Sequence, residues 1–237
     1  MKRIFFPAFL AFLATGICKN AALADTPQQR GFQVYRQVCS TCHSLDQVRF
    51  ADLSGIGLSV ADIKAYAASR QVPDGVDDDG DPKTRPAHLS DLIGSPYPNE
   101  AMARMANHGD LPPDFSRLAM TEEGGAARIE TILRSYAPKP ADLVLPPGSY
   151  YNTAFAQNHI GMPPPLHDGQ VKYVDGTAAT LPQMAQDVSA YLDWVAHPHS
   201  MERTHIGLGV LAYLAVLTVL LAIMKRRVWK RVKGTGS

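Results

Sequence analysis

Val38-Cys39-Ser40-Thr41-Cys42-His43-Ser44 is the stretch on which the reading of this chain turns. Two cysteines stand three apart, and a histidine follows the second. The spacing puts both sulfurs on one side of a helical turn and sets an imidazole beside them. Three chemistries use such a pair. A thiol–disulfide couple opens a helix after a strand in a thioredoxin-like setting. Here the pair closes a predicted helix, Gln28 to Ser44, and no βαβ pattern surrounds it. A zinc site needs two further ligands at zinc-type spacing, and no further cysteine lies beyond Cys42. Covalent haem attachment needs only what is present: Cys39 and Cys42 each form a thioether with one porphyrin vinyl group, and His43 takes the iron. The motif therefore points to one covalently bound haem c.

The ends of the chain fix its compartment. Met1-Lys2-Arg3 is a positive start, Ile4 to Cys18 is mostly apolar, and Ala22-Leu23-Ala24 supplies small residues at a cleavage site. Residues 1–24 read as a secretory signal peptide, cleaved after Ala24. An uncleaved anchor is the rival, but the apolar run is short of the roughly 20 residues a bilayer core requires. A lipid-bearing Cys18 is a third reading, disfavoured by the bulky Ile17 before it. Cleavage leaves Cys39 and Cys42 as the only thiols, so no disulfide framework is available. At the other end, Ile206 to Met224 is an uncharged run of 19 residues, followed at once by Lys225, Arg226, Arg227, Lys230, Arg231 and Lys233. That pattern is a membrane span with a cytoplasmic tail. Residues 25–204 then form a periplasmic domain, 205–225 a transmembrane helix and 226–237 a basic tail at a bacterial cytoplasmic membrane. The exported part carries all 22 acidic residues against 14 basic ones, about −8. Such a domain steers basic partners toward it, and nothing suggests nucleic acid.

The fold class expected is mainly α: a single c-type cytochrome domain with long loops plus one C-terminal transmembrane helix. Besides Gln28 to Ser44, helical spacing marks Ser59 to Ala68, with Ser59 as cap, and Glu100 to His108. It also marks Thr121 to Tyr136 and Leu181 to Val195. The last is strongly amphipathic, with Met184, Val188, Tyr191, Leu192 and Val195 on one face. Turn-rich stretches fill 72–99, 138–150 and 161–170. Strand signals are confined to short pieces such as Val171 to Val174.

A second iron ligand must come from elsewhere, and methionine or histidine is usual. Met102 and Met105 lie in a predicted helix and read as core or haem-wall residues. Met184 faces the core and Met201 lies near the membrane; Met120 is the remaining methionine of the exported part. Met162 stands in Ile160-Gly161-Met162-Pro163-Pro164-Pro165-Leu166. There a glycine admits close approach and prolines stiffen the loop, which suits a weak iron–thioether bond. His159 is the rival at this position.

Taken in order, Val38-Cys39 to His43-Ser44, Arg85-Pro86, Leu89-Ser90-Asp91, Tyr97-Pro98-Asn99 and Ala106-Asn107 begin a longer pattern. Leu111-Pro112-Pro113-Asp114, Gly124-Gly125, Ile160-Gly161-Met162, Asp175-Gly176-Thr177, Asp187-Val188 and Trp194 continue it, ahead of the C-terminal anchor. This pattern resembles the cytochrome c1 family. The resemblance implies Met162 as the distal ligand beside His43, with Asn107 and the loop containing Pro112 and Pro113 bordering the haem. It implies electron entry from a Rieske iron–sulfur protein and exit to a cytochrome c. Cytochrome b completes a membrane-embedded complex, expected to be dimeric, and quinol oxidation belongs to that assembled ubiquinol–cytochrome c reductase rather than to this chain alone. The family also places a basic residue and a tyrosine near the haem propionates, around the Gly-Gly pair. Here Ser116 to Arg128 offers Arg117 and Arg128 and no tyrosine. Two other functions could share the motif: the cytochrome subunit of another periplasmic dehydrogenase or oxidase, and a haem-based gas sensor. The acidic residues Asp74, Asp77, Asp78, Asp79 and Asp81 read either as a docking site for a basic cytochrome or as a solvated loop. Spacing from Asp77 sets His88 where a calcium loop needs a bidentate Glu.

Overall fold

The computed structural model describes residues 24–198 and 200–234, the side chains of 200–202 and 231–234 excepted. Apart from Ala24, the expected signal segment lies outside the described residues. The mainly α reading holds. Seven helices are described: α1 Pro27–Gln37, α2 Val60–Ala68, α3 Glu100–Ala106, α4 Leu118–Thr121, α5 Gly125–Arg134, α6 Leu181–Ala196 and α7 Ser200–Gly234. Three two-stranded antiparallel pieces accompany them. They pair β1 Leu45–Arg49 with β4 Leu92–Gly94, β2 Gln71–Val76 with β3 Pro82–Pro86, and β5 Tyr150–Tyr151 with β6 His159–Ile160.

Helix starts follow local chemistry. Thr26 and Gln29 form a reciprocal capping box at the start of α1, with Pro27 in its first turn. Ser59, Asn99 and Thr180 each accept a backbone N–H to open α2, α3 and α6. Helix α6 is the hub. It packs against α1, α4, α5 and a short 3-10 turn at Phe115–Arg117. Its inner face buries Met184, Val188, Tyr191, Leu192 and Val195, the face expected from the periodicity. Tyr35 and Tyr191 are fully buried and their ring centroids lie 5.7 Å apart.

The crossing of α1 over α6 is close because residue 31 has no side chain. A Cβ on Gly31 would lie 2.0 Å from the Asp187 carbonyl oxygen and 2.6 Å from Tyr191 Cβ. Beside this contact Arg30 grips Asp187, Nε to Oδ2 at 2.9 Å and Nη2 to Oδ1 at 3.0 Å. Asp187 is fully buried. Arg30 Nη1 also reaches Asp175 at 3.4 Å, and the Asp25 N–H donates to Asp175 at 3.2 Å.

Three expectations are corrected. The first helix ends at Gln37 rather than Ser44. The Ser40 hydroxyl bonds the Arg36 carbonyl at 3.0 Å and the Thr41 hydroxyl bonds the Val38 carbonyl at 2.7 Å. Side chains thus take helix-end carbonyls, and the motif folds as a 3-10 turn over Cys39–Thr41. The single helix over Thr121 to Tyr136 is two, because Glu122 is extended and Gly124 and Gly125 take positive φ, redirecting the chain between α4 and α5. The turn-rich 72–99 stretch contains the β2–β3 hairpin, whereas Val171 to Val174 forms no strand.

Helix α7 includes Arg203–Lys230, which has a mean hydropathy of 2.6 in its most apolar window and is long and apolar enough to cross a membrane. This is the single long C-terminal apolar helix the sequence predicts.

Candidate haem site

The site grows out of the turn that follows α1. His43 N–H donates to the Cys39 carbonyl at 2.9 Å, closing the turn so that Cys39, Cys42 and His43 leave one bend of backbone. His43 is buried. Its Nδ1 lies 2.9 Å from the Pro113 carbonyl oxygen. A carbonyl can only accept, so Nδ1 carries the proton and Nε2 keeps the lone pair. Burial lowers the His43 pKa, and the Pro113 hydrogen bond opposes that only in part. The imidazole is therefore neutral at neutral pH, the form a metal requires. Phe115 stacks on its face, centroids 4.0 Å apart and planes 17° from parallel. One contact fixes the tautomer and the other fixes the ring plane.

The loop that supplies both contacts is anchored to the strand after the motif. Phe115 N–H donates to the Ser44 carbonyl at 2.9 Å, and Asp114 Oδ1 accepts from Asp46 N–H at 3.0 Å. At its other end the loop touches the methionine segment. Asp110 packs so tightly on Gly161 that a Cβ there would lie 1.8 Å from the carboxylate oxygen. Asp110 N–H donates to the Asn107 carbonyl at 3.0 Å, and Asn107 Nδ2 donates to the Ala103 carbonyl at 2.7 Å and the Tyr97 hydroxyl at 3.1 Å. The segment 107–115 thus joins the two ends of the site: His43 at Pro113, and Gly161-Met162 at Asp110.

Met162 is partly buried and packs against the core. Its carbonyl accepts from the Tyr136 hydroxyl at 2.9 Å, and burial pushes that phenol above its ordinary pKa. His159, the rival ligand, starts β6, and its Nδ1 lies 2.9 Å from the Gln157 carbonyl; like the contact of His43, this leaves Nε2 open. Met102 and Met105 are 44% and 74% exposed, so neither belongs to the protein core, contrary to the core half of the expectation. Met184 is fully buried on α6, as expected. Arg128 donates to the Ala154 carbonyl at 2.7 Å and lies over the Phe155 ring.

The competing chemistries find little support. Burial pushes the Cys39 thiol up to about 12, opposite to the depressed values of thiol–disulfide catalysts. Among the described residues no group of three or more His, Cys, Asp or Glu side chains converges to hold a metal. The donor set instead fits a haem: two free cysteines on one turn, a neutral imidazole with Nε2 open, and a thioether on an anchored loop. Sequence reasoning missed Phe115 and Tyr136. Phe115 directly follows the Leu111-Pro112-Pro113-Asp114 signal; Tyr136 carries no local mark.

The acidic stretch forms the tip of the β2–β3 hairpin. Asp77 Oδ1 accepts N–H bonds from Asp79 and Asp81 at 3.0 and 2.9 Å, which shapes the turn, and the whole tip is exposed. At its base Arg85 pairs with Asp91 and Asp74.

The Cytochrome C1 family model matches residues 21–232 of this chain. Cytochrome c1 of Rhodospirillum rubrum is 43% identical over 226 residues, covering 88% of this chain and 83% of that protein. The mitochondrial cytochrome b-c1 complex catalytic subunit of Candida albicans is 43% identical over 207 residues, covering 87% of this chain and 72% of that protein. Cytochrome b/c1 of Bradyrhizobium diazoefficiens is 37% identical over 223 residues, covering 85% of this chain but 32% of that protein.

Proposed function

Because this chain belongs to the cytochrome c1 family, which implies a haem cofactor, we propose that it relays electrons through one haem held by thioethers to Cys39 and Cys42. His43 Nε2 and the Met162 sulfur would hold its iron. The observation that carries this reading is the His43–Pro113 hydrogen bond of 2.9 Å. It leaves a single ring nitrogen free, on a buried neutral imidazole, directly beside both cysteines. Bound there, the haem supplies a one-electron ferrous–ferric couple whose potential is raised by a thioether ligand.

The chain's own residues hold that couple still. Pro113 and Phe115 fix the proximal ring. Asp110, Tyr136 and the prolines after Met162 fix the distal loop. Asn107, Pro112 and Pro113 would border the site. A site that keeps both ligands through the redox cycle needs little reorganisation, and it denies the iron to oxygen. These roles make the chain a relay, with substrate chemistry left to a larger assembly.

That assembly, in our reading, is a quinol–cytochrome c reductase. Electrons enter from a Rieske iron–sulfur protein and leave to a cytochrome c that docks on the acidic head. The name of the Candida relative, a subunit of a cytochrome b-c1 complex, supports this. So does the Bradyrhizobium protein, whose name joins cytochrome b to c1 and of which this chain covers 32%. Residues 1–24 are removed on export, 25–204 form the periplasmic head, 205–225 span the membrane and 226–237 remain in the cytoplasm, as the cationic tail directs.

One preparation tests the proposal. Purified through a tag in mild detergent, the chain should carry a haem that acid acetone does not extract, and should bring a b-type haem and an iron–sulfur protein with it. Met162→Leu should lower the midpoint potential by on the order of 100 mV. An unchanged potential rules Met162 out; a dehydrogenase in place of the b-type haem rules out the reductase.

A further inference from the structure

Two short strands and one helix end meet where the chain approaches Met162. Strand β5 pairs with β6, Tyr150 opposite Ile160 and Tyr151 opposite His159, so the hairpin delivers Gly161 and Met162 directly. The hairpin is sewn to the end of α5. Asn152, fully buried, donates from Nδ2 to the Ile132 carbonyl at 2.9 Å, and its N–H donates to the Asn158 carbonyl at 3.0 Å. Thr153 N–H donates to the Ser135 carbonyl at 3.1 Å, and Tyr136 forms an isolated bridge with Asn152. The last thread of this seam is the Tyr136 hydroxyl, which donates to the carbonyl of Met162 itself at 2.9 Å. Asp110 also closes on Gly161.

We infer that Tyr136 is a positioning residue for Met162, its hydroxyl holding the backbone of the distal-ligand loop against α5. The inference rests on the reading of Met162 as an axial ligand. A thioether binds iron weakly, so the time Met162 spends attached depends on how rarely its loop lifts. The seam through Asn152 and Ser135 ends before residue 162, and the phenol carries it onto the ligand residue. Removing a neutral hydrogen bond of this kind shifts an equilibrium by about two- to tenfold. The same factor applies to the detached population of Met162.

The test compares Tyr136→Phe with the parent, both as the full chain with its haem in detergent. The phenyl ring keeps the packing and loses the donor. Carbon monoxide binding to the reduced haem at neutral pH reports detachment. Its rate should rise about two- to tenfold, in step with weakening of the red charge-transfer band that a sulfur ligand gives the ferric form. A Tyr136→His variant, which retains a donor, should fall between the two. Ser135→Ala, at the same helix end but touching no atom of Met162, should leave both readouts unchanged. A Tyr136→Phe protein that melts earlier yet binds carbon monoxide like the parent overturns the positioning role. Should Tyr136→Phe fail to accumulate with haem, Asn152→Ser loosens the bridge beneath the phenol and takes its place: faster binding supports the role, an unchanged rate overturns it. Met162→Leu separates the two ideas. If it leaves potential and carbon monoxide binding as they were, the ligand assignment fails and this inference with it. If it opens the sixth position while Tyr136→Phe does nothing, only the role of Tyr136 falls.

Discussion

Gly31→Ala is the sharpest probe of the fold, because two well-calibrated effects predict opposite signs. Within a helix, alanine is favoured over glycine by about 1 kcal/mol. Were α1 free on that face, the substitution would stabilise the protein. The structure places the new methyl 2.0 Å from the Asp187 carbonyl oxygen and 2.6 Å from its carbonyl carbon. Carbon–oxygen contacts settle near 3.3–3.6 Å, so the helices must part by more than about 1 Å. The obstruction is backbone, and no rotamer relieves it. Overpacking of this kind costs about 1–3 kcal/mol, occasionally more. Parting the helices also stretches the buried Arg30–Asp187 pair at 2.9 and 3.0 Å, and full rupture of such a pair costs about 3–5 kcal/mol. Setting part of that loss and the overpacking against the propensity gain leaves a net destabilisation of about 2–4 kcal/mol. For a domain of this size that lowers the melting temperature by roughly 5–15 °C. Thermal unfolding followed by near-ultraviolet circular dichroism reads it, since Tyr191 and Trp194 stack across this region. A melting temperature equal to the parent's or higher would refute the close crossing.

Two further outcomes concern the charges beside that crossing. Burial pushes the Asp175 carboxyl upward, but hydrogen bonds from Thr177 and Asp25 and the charge of Arg30 outweigh it, so its folded pKa lies below the ordinary 3.8. A depressed folded value gives stability that is present above the unfolded pKa and is lost as pH falls below it. Asp175→Asn should therefore cost about 1.5–3 kcal/mol near neutrality and progressively less below about pH 4; an equal loss at both ends of the range contradicts the assignment. The second outcome links this network to export. Cleavage after Ala24, as proposed, would turn the Asp25 nitrogen, 3.2 Å from Asp175 Oδ2, into an α-ammonium. Arg30 would then share the two carboxylates with a second cation. N-terminal sequencing of the membrane-isolated protein should return Asp-Thr-Pro-Gln-Gln, and a start further upstream removes that second cation.

How much of this was legible in the sequence differs from residue to residue. The inner face of α6 was readable because five apolar side chains recur at helical spacing over an uninterrupted stretch. The motif was readable because covalent haem attachment asks for adjacent residues and nothing remote. The end of α1 was not legible because the apolar residues Phe32, Tyr35 and Val38 keep helical spacing past Gln37, while the hydroxyls of Ser40 and Thr41 turn back to the Arg36 and Val38 carbonyls. The β2–β3 hairpin carries Pro73, Pro82 and Pro86 and is exposed on nearly every side chain, so no alternation of apolar residues announces it. Phe115 on His43 and Tyr136 on Met162 are contacts across 72 and 26 residues. Such pairings exist only once the helices have packed, and no local pattern encodes them.

Helix α6 ends at Ala196 and α7 begins at Ser200. Three residues lie between the hub of the head and the start of the anchor, and three residues reach at most about 11 Å. Beyond them α7 continues for 35 residues, about 52 Å of helix, of which a bilayer core takes about 30 Å. The head is therefore on a short leash. A linker of that length is too short to act as a swinging arm with which the head could visit one carrier and then another, and the hub helix of the head directly precedes the anchor in the chain. If the chain relays electrons as proposed, the travelling falls to its partners. Turnover would then be limited by how far and how often they move, and this protein would be the fixed station between them.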